Sequence, residues 1–457
     1  MKFKIGFLLL VCFSFSGCMT YYQKNAQVNS LIERGQYKEA YEKNSKIRKA
    51  ETNKDRLLYW LNQGLLSQLN GDYLSSNNYF ERAYLFSQDA QKSAGRELLS
   101  MVTNAQNKVY YGEPFEIIMI HYFKAFNFMM LGEKESALVE CRRSYNALNK
   151  LSDLYNKENK YKRDAFMYNI MGLIFESSGE YNDAFVSYRN AYDIYKNDYQ
   201  SMFKVGVPQQ LKKDLLRTAH LSMMGDMVQH YEKEFGEKYV HESISEDEGE
   251  VVVFWNNGLG PVKAEWSVNF TVVGNSSLIT FANSTYNLNF SVPWPSSSSS
   301  SGLDQLQFIR AAFPKYQERR LFYTNAYVNN QEFEMAQNVN AIAFRALDDR
   351  MGKEMTNTLL RLAVKKASEL ALRSQNTGAG AALGVLNAIT EKADTRNWQS
   401  LPYHISYARV KVPVGTENLE CKMMGVGTEI QKIKVRVTPK SLTFAQVNSL
   451  RSNGIVF

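Results

Sequence analysis

The chain has 457 residues, 44% hydrophobic and 13% aromatic, enough for two or three domains with substantial cores. Its formal charge of +8 is mild for this length, and the absence of a basic stripe with interleaved aromatics excludes a nucleic-acid binder. No apolar run reaches the roughly 20 residues that span a bilayer.

Residues 1–17 read as a processed signal segment, with Lys2 and Lys4 as its charged start and Ile5 to Phe15 as its apolar stretch. Phe15-Ser16-Gly17-Cys18 then resembles a bacterial lipobox, with Phe15 where leucine is usual. Small residues at 16 and 17 fit a peptidase cleft, and the Cys18 thiol is the expected acylation site, for acyl groups such as palmitate. The alternative is an ordinary cleaved signal with a chance cysteine. Several acyl chains on one terminus anchor firmly, so the expectation is a chain tethered to a membrane by its N-terminal lipid. Met19 and Thr20 lack the aspartate that retains such proteins at the inner membrane of many diderm bacteria. That points to the outer membrane, facing the periplasm. Cys141 and Cys421 are far apart, lack metal-ligand spacing and read as buried thiols.

From residue 18 to 236 the pattern is helical. Gly172, Gly179, Tyr181, Ala184, Tyr188 and Ala191 stand at the spacing of a tetratricopeptide repeat, a helix–turn–helix unit of about 34 residues. Gly172 permits close approach of two helices, Gly179 ends the first, and Tyr188 fills the groove between them. The same turn recurs at Gly35-Gln36-Tyr37, at Gly71-Asp72-Tyr73 with Gly64 and Phe80, and at Gly132-Glu133-Lys134 with Ala125 and Cys141. Uneven spacing between these turns implies a diverged solenoid with insertions. One insertion carries the turn Tyr111-Gly112-Glu113-Pro114. Helices over 209–224 and 227–235 close the array as a cap. Residues 237–249 are acidic and polar and read as a linker.

Residues 250–457 change character. Val251 to Trp255 is a short apolar run and Lys263 to Phe270 alternates, so both read as strands. Further strands are expected at 278–281, 286–292 and 320–328, the last with a hairpin at Asn329-Asn330. Ser296 to Ser301 read as a flexible loop. A helix follows over 338–373, interrupted near Met351-Gly352, with Met355, Leu359, Leu362, Ala363 and Leu370 on one face. Gly378 to Gly384 form a small-residue stretch before 385–393. Strands at 404–412, 429–437 and 454–457 end the chain. The fold class is therefore mixed: an N-terminal all-α tetratricopeptide-like solenoid followed by an α+β domain.

Four stretches carry a resemblance to a known family: Tyr111-Gly112-Glu113-Pro114-Phe115-Glu116, Glu140-Cys141-Arg142-Arg143, the segment from Asn257 to Lys263, and Ala393 to Trp398 with Leu401-Pro402. The chain resembles a family of bacterial envelope lipoproteins with a tetratricopeptide-like N-terminal region and a β-rich C-terminal part. The resemblance implies a periplasm-facing lipoprotein, in some members associated with factors that regulate peptidoglycan synthesis.

Each candidate site has a plain alternative. Asn257-Gly258-Leu259-Gly260-Pro261 is not a dinucleotide loop, since Lys263 stands where the third glycine belongs and a strand follows. It either joins strands or helps to bind a partner. Asp394, Arg396 and Trp398 form either a loop brace or a recognition patch. Glu113, Glu116 and His121, with Glu140 and Arg143, either face one groove or form solvated faces and interhelix pairs. No two of the five histidines have ligand spacing, and no Gly-x-Ser-x-Gly elbow occurs. The expectation is a non-enzymatic scaffold without metal or cofactor, presenting its concave helical surface to an envelope protein. A glycan-binding uptake lipoprotein and an envelope hydrolase are the alternatives.

Overall fold

The computed structural model describes residues 21–47, 49–93, 108–154, 161–274, 278–293, 308–375 and 392–456. The signal segment with Cys18, the serine run 296–301, the stretch 378–384 and the side chain of Leu370 lie outside the described residues. The amino-terminal region consists of antiparallel helix pairs: α1 (Tyr21–Glu33) with α2 (Tyr37–Ser45), α3 (Arg56–Leu69) with α4 (Tyr73–Ser93), and α5 (Pro114–Met130) with α6 (Lys134–Leu154). Then come α7 (Ala165–Ser177) with α8 (Tyr181–Ile194), and α9 (Gln209–Leu221) with α10 (Gly225–Phe235). Among the described residues no helix is long and apolar enough to cross a membrane.

One backbone device closes every pair. Gly35, Gly71, Gly132 and Gly179 all have φ between 70° and 80°. Gly179 N–H donates to the Glu176 carbonyl and Glu180 N–H to the Phe175 carbonyl, both at 3.0 Å, and the other three turns repeat this pattern. Such a closure needs a left-handed residue, which glycine adopts without a Cβ clash. The fifth pair makes the same two bonds around Met223, at φ 57°. Within a pair, the aromatic ring of the second helix lies over a glycine of the first. A Cβ on Gly172 would come within 2.4 Å of the Tyr188 ring, and one on Gly64 within 2.7 Å of Phe80. Ala125 and Cys141, both buried, hold these two positions in the third pair, a larger first residue matched by a smaller second.

The β region begins with β1 (Glu248–Asn257), β2 (Val262–Gly274), β3 (Leu278–Asn283), β4 (Leu288–Pro293) and β5 (Phe308–Gln317). It continues with β6 (Arg319–Leu321), β7 (Tyr323–Val328), β8 (Gln331–Glu332), β9 (Glu334–Gln337) and the helix α11 (Val339–Gln375). The last strands are β10 (His404–Pro413), β11 (Asn418–Gly425), β12 (Thr428–Lys434), β13 (Leu442–Ser449) and β14 (Ser452–Ile455). The central sheet has the order β13-β1-β10-β9, with β1 antiparallel to β10 and parallel to β13. A second sheet runs β12-β11-β7-β8, a third β4-β3-β2-β5, and β14 pairs with β6.

The apolar run of β1 is explained by burial on both faces. Val252 and Phe254 point into the helical core with Ile405 and Tyr407. Val251, Val253 and Trp255 point the other way, onto Ala326, Val328, Leu419 and Met423 of the second sheet. Helices, central sheet and second sheet thus form three layers. The third sheet packs on α11, through Met355, Leu359, Leu362 and Ala363 against Val268, Phe270, Ile279 and Phe313.

Two expectations change. The concave helical surface is not open to a partner, because the chain's own central sheet lies on it and shares its core. The helix α11 runs unbroken through Met351-Gly352, since one glycine in a helix interior costs only about 1 kcal/mol.

Candidate functional site at the helix–sheet joint

The Tyr111–Glu116 turn starts α5. Glu113 is the N-cap in extended conformation and Pro114 follows, where its fixed φ suits the first turn and its missing N–H costs nothing. The Glu116 carboxylate turns back to accept the Glu113 N–H at 2.9 Å. It also accepts the Tyr110 hydroxyl at 2.7 Å and the Trp398 backbone N–H at 2.6 Å. Burial, then the charge of Glu113, pushes the Glu116 carboxyl up to about 7, and the three donors oppose that rise. Glu113 accepts from Lys263 Nζ and from the Arg350 guanidinium. Burial acts to raise its pKa, but Arg350 and then Lys263 outweigh it and hold the group at about 2.

The remaining motifs close around this pair. Lys263 N–H donates to Asn397 Oδ1 at 3.1 Å, and Asn397 Nδ2 donates to the Pro261 carbonyl at 2.8 Å. Arg396 forks onto Asp394 at 2.7–2.8 Å. It reaches Asp55 and the Lys108 carbonyl, each at 2.9 Å, and lies over the Tyr110 ring. Trp398 is buried against Phe80 and Phe123, with ring centroids 5.8 and 5.6 Å away. Its indole N–H donates to Ser400 Oγ at 2.9 Å, and that hydroxyl donates to Asn62 at 2.8 Å. Asp394, Arg396 and Trp398 therefore brace the strand region on α3, α4 and α5.

His121, Glu140 and Arg143 lie elsewhere, so of the two alternatives the single groove does not form and the interhelix pairs do. His121 Nδ1 is 2.8 Å from Glu140 Oε2, and Lys124 and Arg143 donate to Oε1 at 2.8 and 2.9 Å. Arg143 also reaches Glu81 at 3.2 Å. Burial lowers the His121 pKa; burial raises that of Glu140, but His121 and Lys124 prevail and lower it. Asn257 occupies a third place, donating to the Tyr323 carbonyl at 2.8 Å and accepting from Ser449 Oγ at 3.0 Å. It lies 3.4 Å from His404 Nε2, whose pKa burial lowers to about 4. Cys141 and Cys421 are buried free thiols.

One cluster left no trace in the sequence. Arg409 of β10 donates to Glu176 twice at 3.0 Å, to Asp214 at 3.2 Å and to Glu250. Arg217 reaches the same Glu176 at 2.7 Å. These residues span α7, α9, β1 and β10, so no local spacing announces them. Burial acts to raise the Glu176 pKa, but Arg409 and Arg217 hold it well below the usual carboxylate range.

Beside the Glu113 cluster the joint opens into a cleft of about 490 Å³. Its walls come from the Lys108–Glu113 segment, from β2 and β5, from α11 and from residues 393–396. Among the described residues no group of three or more His, Cys, Asp or Glu side chains is arranged to hold a metal.

No protein-family model matches the chain. No curated protein matches it. Among solved structures, a crystal structure of MamA is similar at a TM-score of 0.27 and 17% identity, over 47% of this chain and 92% of that one. The crystal structure of BtubC (BKLC) from P. vanneervenii is similar at a TM-score of 0.27 and 16% identity, over 49% of this chain and 88% of that one. The likeness is weak and covers about half of this chain.

Proposed function

We propose that the protein is a non-enzymatic scaffold of the bacterial cell envelope, a lipoprotein tethered through Cys18 to the outer membrane on its periplasmic side. In this reading it holds a protein partner there and serves cell-wall assembly, as the lipobox-like start and the family resemblance imply. Confinement to the membrane raises the partner's effective concentration.

The observation that carries the protein-binding part is on the outer helices. With the concave side covered by the chain's own sheet, the second helix of each pair faces outward. Val139 of α6 and Val186 of α8 are 42% and 40% exposed. They occupy the same repeat position, fourteen residues after Ala125 and Gly172. Leu85, Tyr145 and Tyr181 are exposed on the same set of helices. Repeated apolar side chains on a solvent-facing surface are a feature of protein contact sites. A photocrosslinking side chain in place of Tyr145, exposed on α6 with Val139, should capture a partner protein in the native membrane. That adduct should vanish in the V139E/V186E double variant, and an adduct unchanged by that variant would refute the reading. Cys18→Ala should abolish palmitate incorporation and release the chain from the membrane fraction.

A further inference from the structure

We infer that the outer face of the third sheet, β4-β3-β2-β5, binds a neutral polysaccharide, a glycan strand with the extended linkage of cellulose and chitin. The inference goes beyond the scaffold reading and uses a different surface. One face of this sheet is buried on α11. The other is exposed, with Phe308 of β5 at 72% and Val273 of β2 at 65%. Beyond the joint, from Ser267 of β2 to the far end of the sheet, Arg310 is the one charged side chain among the described residues of that face. The rest are Ser, Thr, Asn and apolar groups. The hairpin β11–β12 shows the usual alternative, an exposed face carrying Glu420, Lys422, Lys432 and Lys434. Such charges keep solvent-facing surfaces from associating. A face without them suits a ligand that is itself uncharged, since a charge held against a neutral sugar loses water without gaining an ionic partner.

The register orders these groups into rows. Phe308 pairs with Thr271, Thr271 with Ala282 and Ala282 with Asn289, so one row crosses the whole sheet. The next row holds Val273, Thr280 and Ser291, with the Thr280 and Ser291 hydroxyls 2.9 Å apart. Neighbouring strands lie about 4.8 Å apart, close to the advance of one pyranose along an extended chain of this linkage. Such a chain lying across the strands meets one side chain of a row per sugar. The Phe308 ring offers an apolar face on which the C–H side of a pyranose stacks. Ala282 leaves clearance, and Thr271 and Asn289 supply donors and acceptors for the ring hydroxyls.

The test is calorimetric titration of the full chain with cellohexaose and, separately, with fully N-acetylated chitohexaose, both neutral. Saturable binding of at least one is expected, with an affinity that added salt leaves unchanged, since no ion pair forms. Phe308→Ala should weaken it about tenfold while leaving the thermal unfolding midpoint in place. Asn289→Ala should weaken it as well, whereas Lys432→Gln, at an exposed cation on β12, should leave it unaltered. Binding of cellohexaose alone assigns the face to strands bearing hydroxyls only, and of chitohexaose alone to N-acetylated strands. Binding of neither, or binding that Phe308→Ala leaves intact, overturns the inference. So does sedimentation showing a dimer that Phe308→Ala dissociates, since the face would then cover a second copy of the chain. Neither titration depends on Val139 or Val186, so this inference and the scaffold reading fail separately.

Discussion

Replacing Gly172 by alanine should destabilise the protein, although the same change at Gly352 should stabilise it. Both glycines are in helices, where alanine gains about 1 kcal/mol of intrinsic preference. A Cβ on Gly352 meets nothing within 4 Å, so there that gain stands alone. At Gly172 the new carbon would lie 2.4 Å from two atoms of the Tyr188 ring, against a normal carbon–carbon contact of about 3.5–4 Å. The ring cannot swing aside cheaply. Its hydroxyl donates to Glu176 at 2.7 Å, and Glu176 is clamped by Arg409 and Arg217. Forced overpacking costs about 1–3 kcal/mol, and strain on a hydrogen bond to a charged group adds about 1.5–3 kcal/mol. The net loss after the helix gain is about 1.5–5 kcal/mol, read as a fall in the urea unfolding midpoint by circular dichroism. The third helix pair suggests the rescue. With Tyr188→Cys added, as at Cys141, the double variant should exceed the sum of the two singles by about 2 kcal/mol. Additive effects, or a stabilising Gly172→Ala, would refute the close-approach argument.

Three further outcomes are expected. Arg409→Met leaves Glu176, Asp214 and Glu250 without their shared buried cation and should cost about 3–5 kcal/mol, with faster amide exchange in α9. The His404 pKa of about 4 lies below its ordinary 6.5, so the folded state binds fewer protons than the unfolded one between these values. The stability it contributes is complete above pH 6.5 and is lost as pH falls to about 4, roughly 3 kcal/mol in all. His404→Gln should flatten that part of the stability–pH curve relative to the parent. Met223 is 92% exposed and has φ 57°, so Met223→Gly should remove about 1 kcal/mol of left-handed strain, partly offset by chain entropy, and raise the urea midpoint.

The helical array was legible because its turns depend on single residues. Gly35, Gly71, Gly132 and Gly179 declare themselves; the fifth turn, expected between the helices over 209–224 and 227–235, is built on Met223, just ahead of that gap. Strand β1 was legible from its apolar run, and the hairpin at Asn329 and Asn330 from residues that tolerate the positive φ both adopt. Strand β5 is absent from the sequence reading because Pro314 interrupts its pattern. The proline is tolerated there because β5 is an edge strand, where its missing N–H breaks no ladder. Strand β11 buries Leu419, Cys421 and Met423 in alternation, but none of the three is among the β-branched and aromatic residues with strong β preference. The candidate residues were recognisable as unusual, and Glu113, Lys263, Asp394, Arg396 and Trp398 do meet. Their partners Tyr110, Asp55 and Arg350 belong to none of those motifs. Only the folded chain brings a helix start, a strand start and a loop to one place, and only there does burial turn ordinary charges into an interlocked set.

The parallel pairing of β1 with β13 has a consequence for how the chain is made. Synthesis is vectorial, and the helix pairs emerge first with an apolar inner face that no neighbouring pair can cover. Strand β1 follows soon after Phe235, but its parallel neighbour, Leu442–Ser449, comes almost two hundred residues later. Until then one edge of the central strand presents unsatisfied backbone groups, beside a helical surface still waiting for its sheet. Contacts so distant in sequence form slowly, and an open strand edge is a template for wrong pairing. Nascent chains of this fold should therefore depend on holding factors until the last strands arrive, and a stop codon near residue 440 should yield aggregates rather than a shortened folded chain.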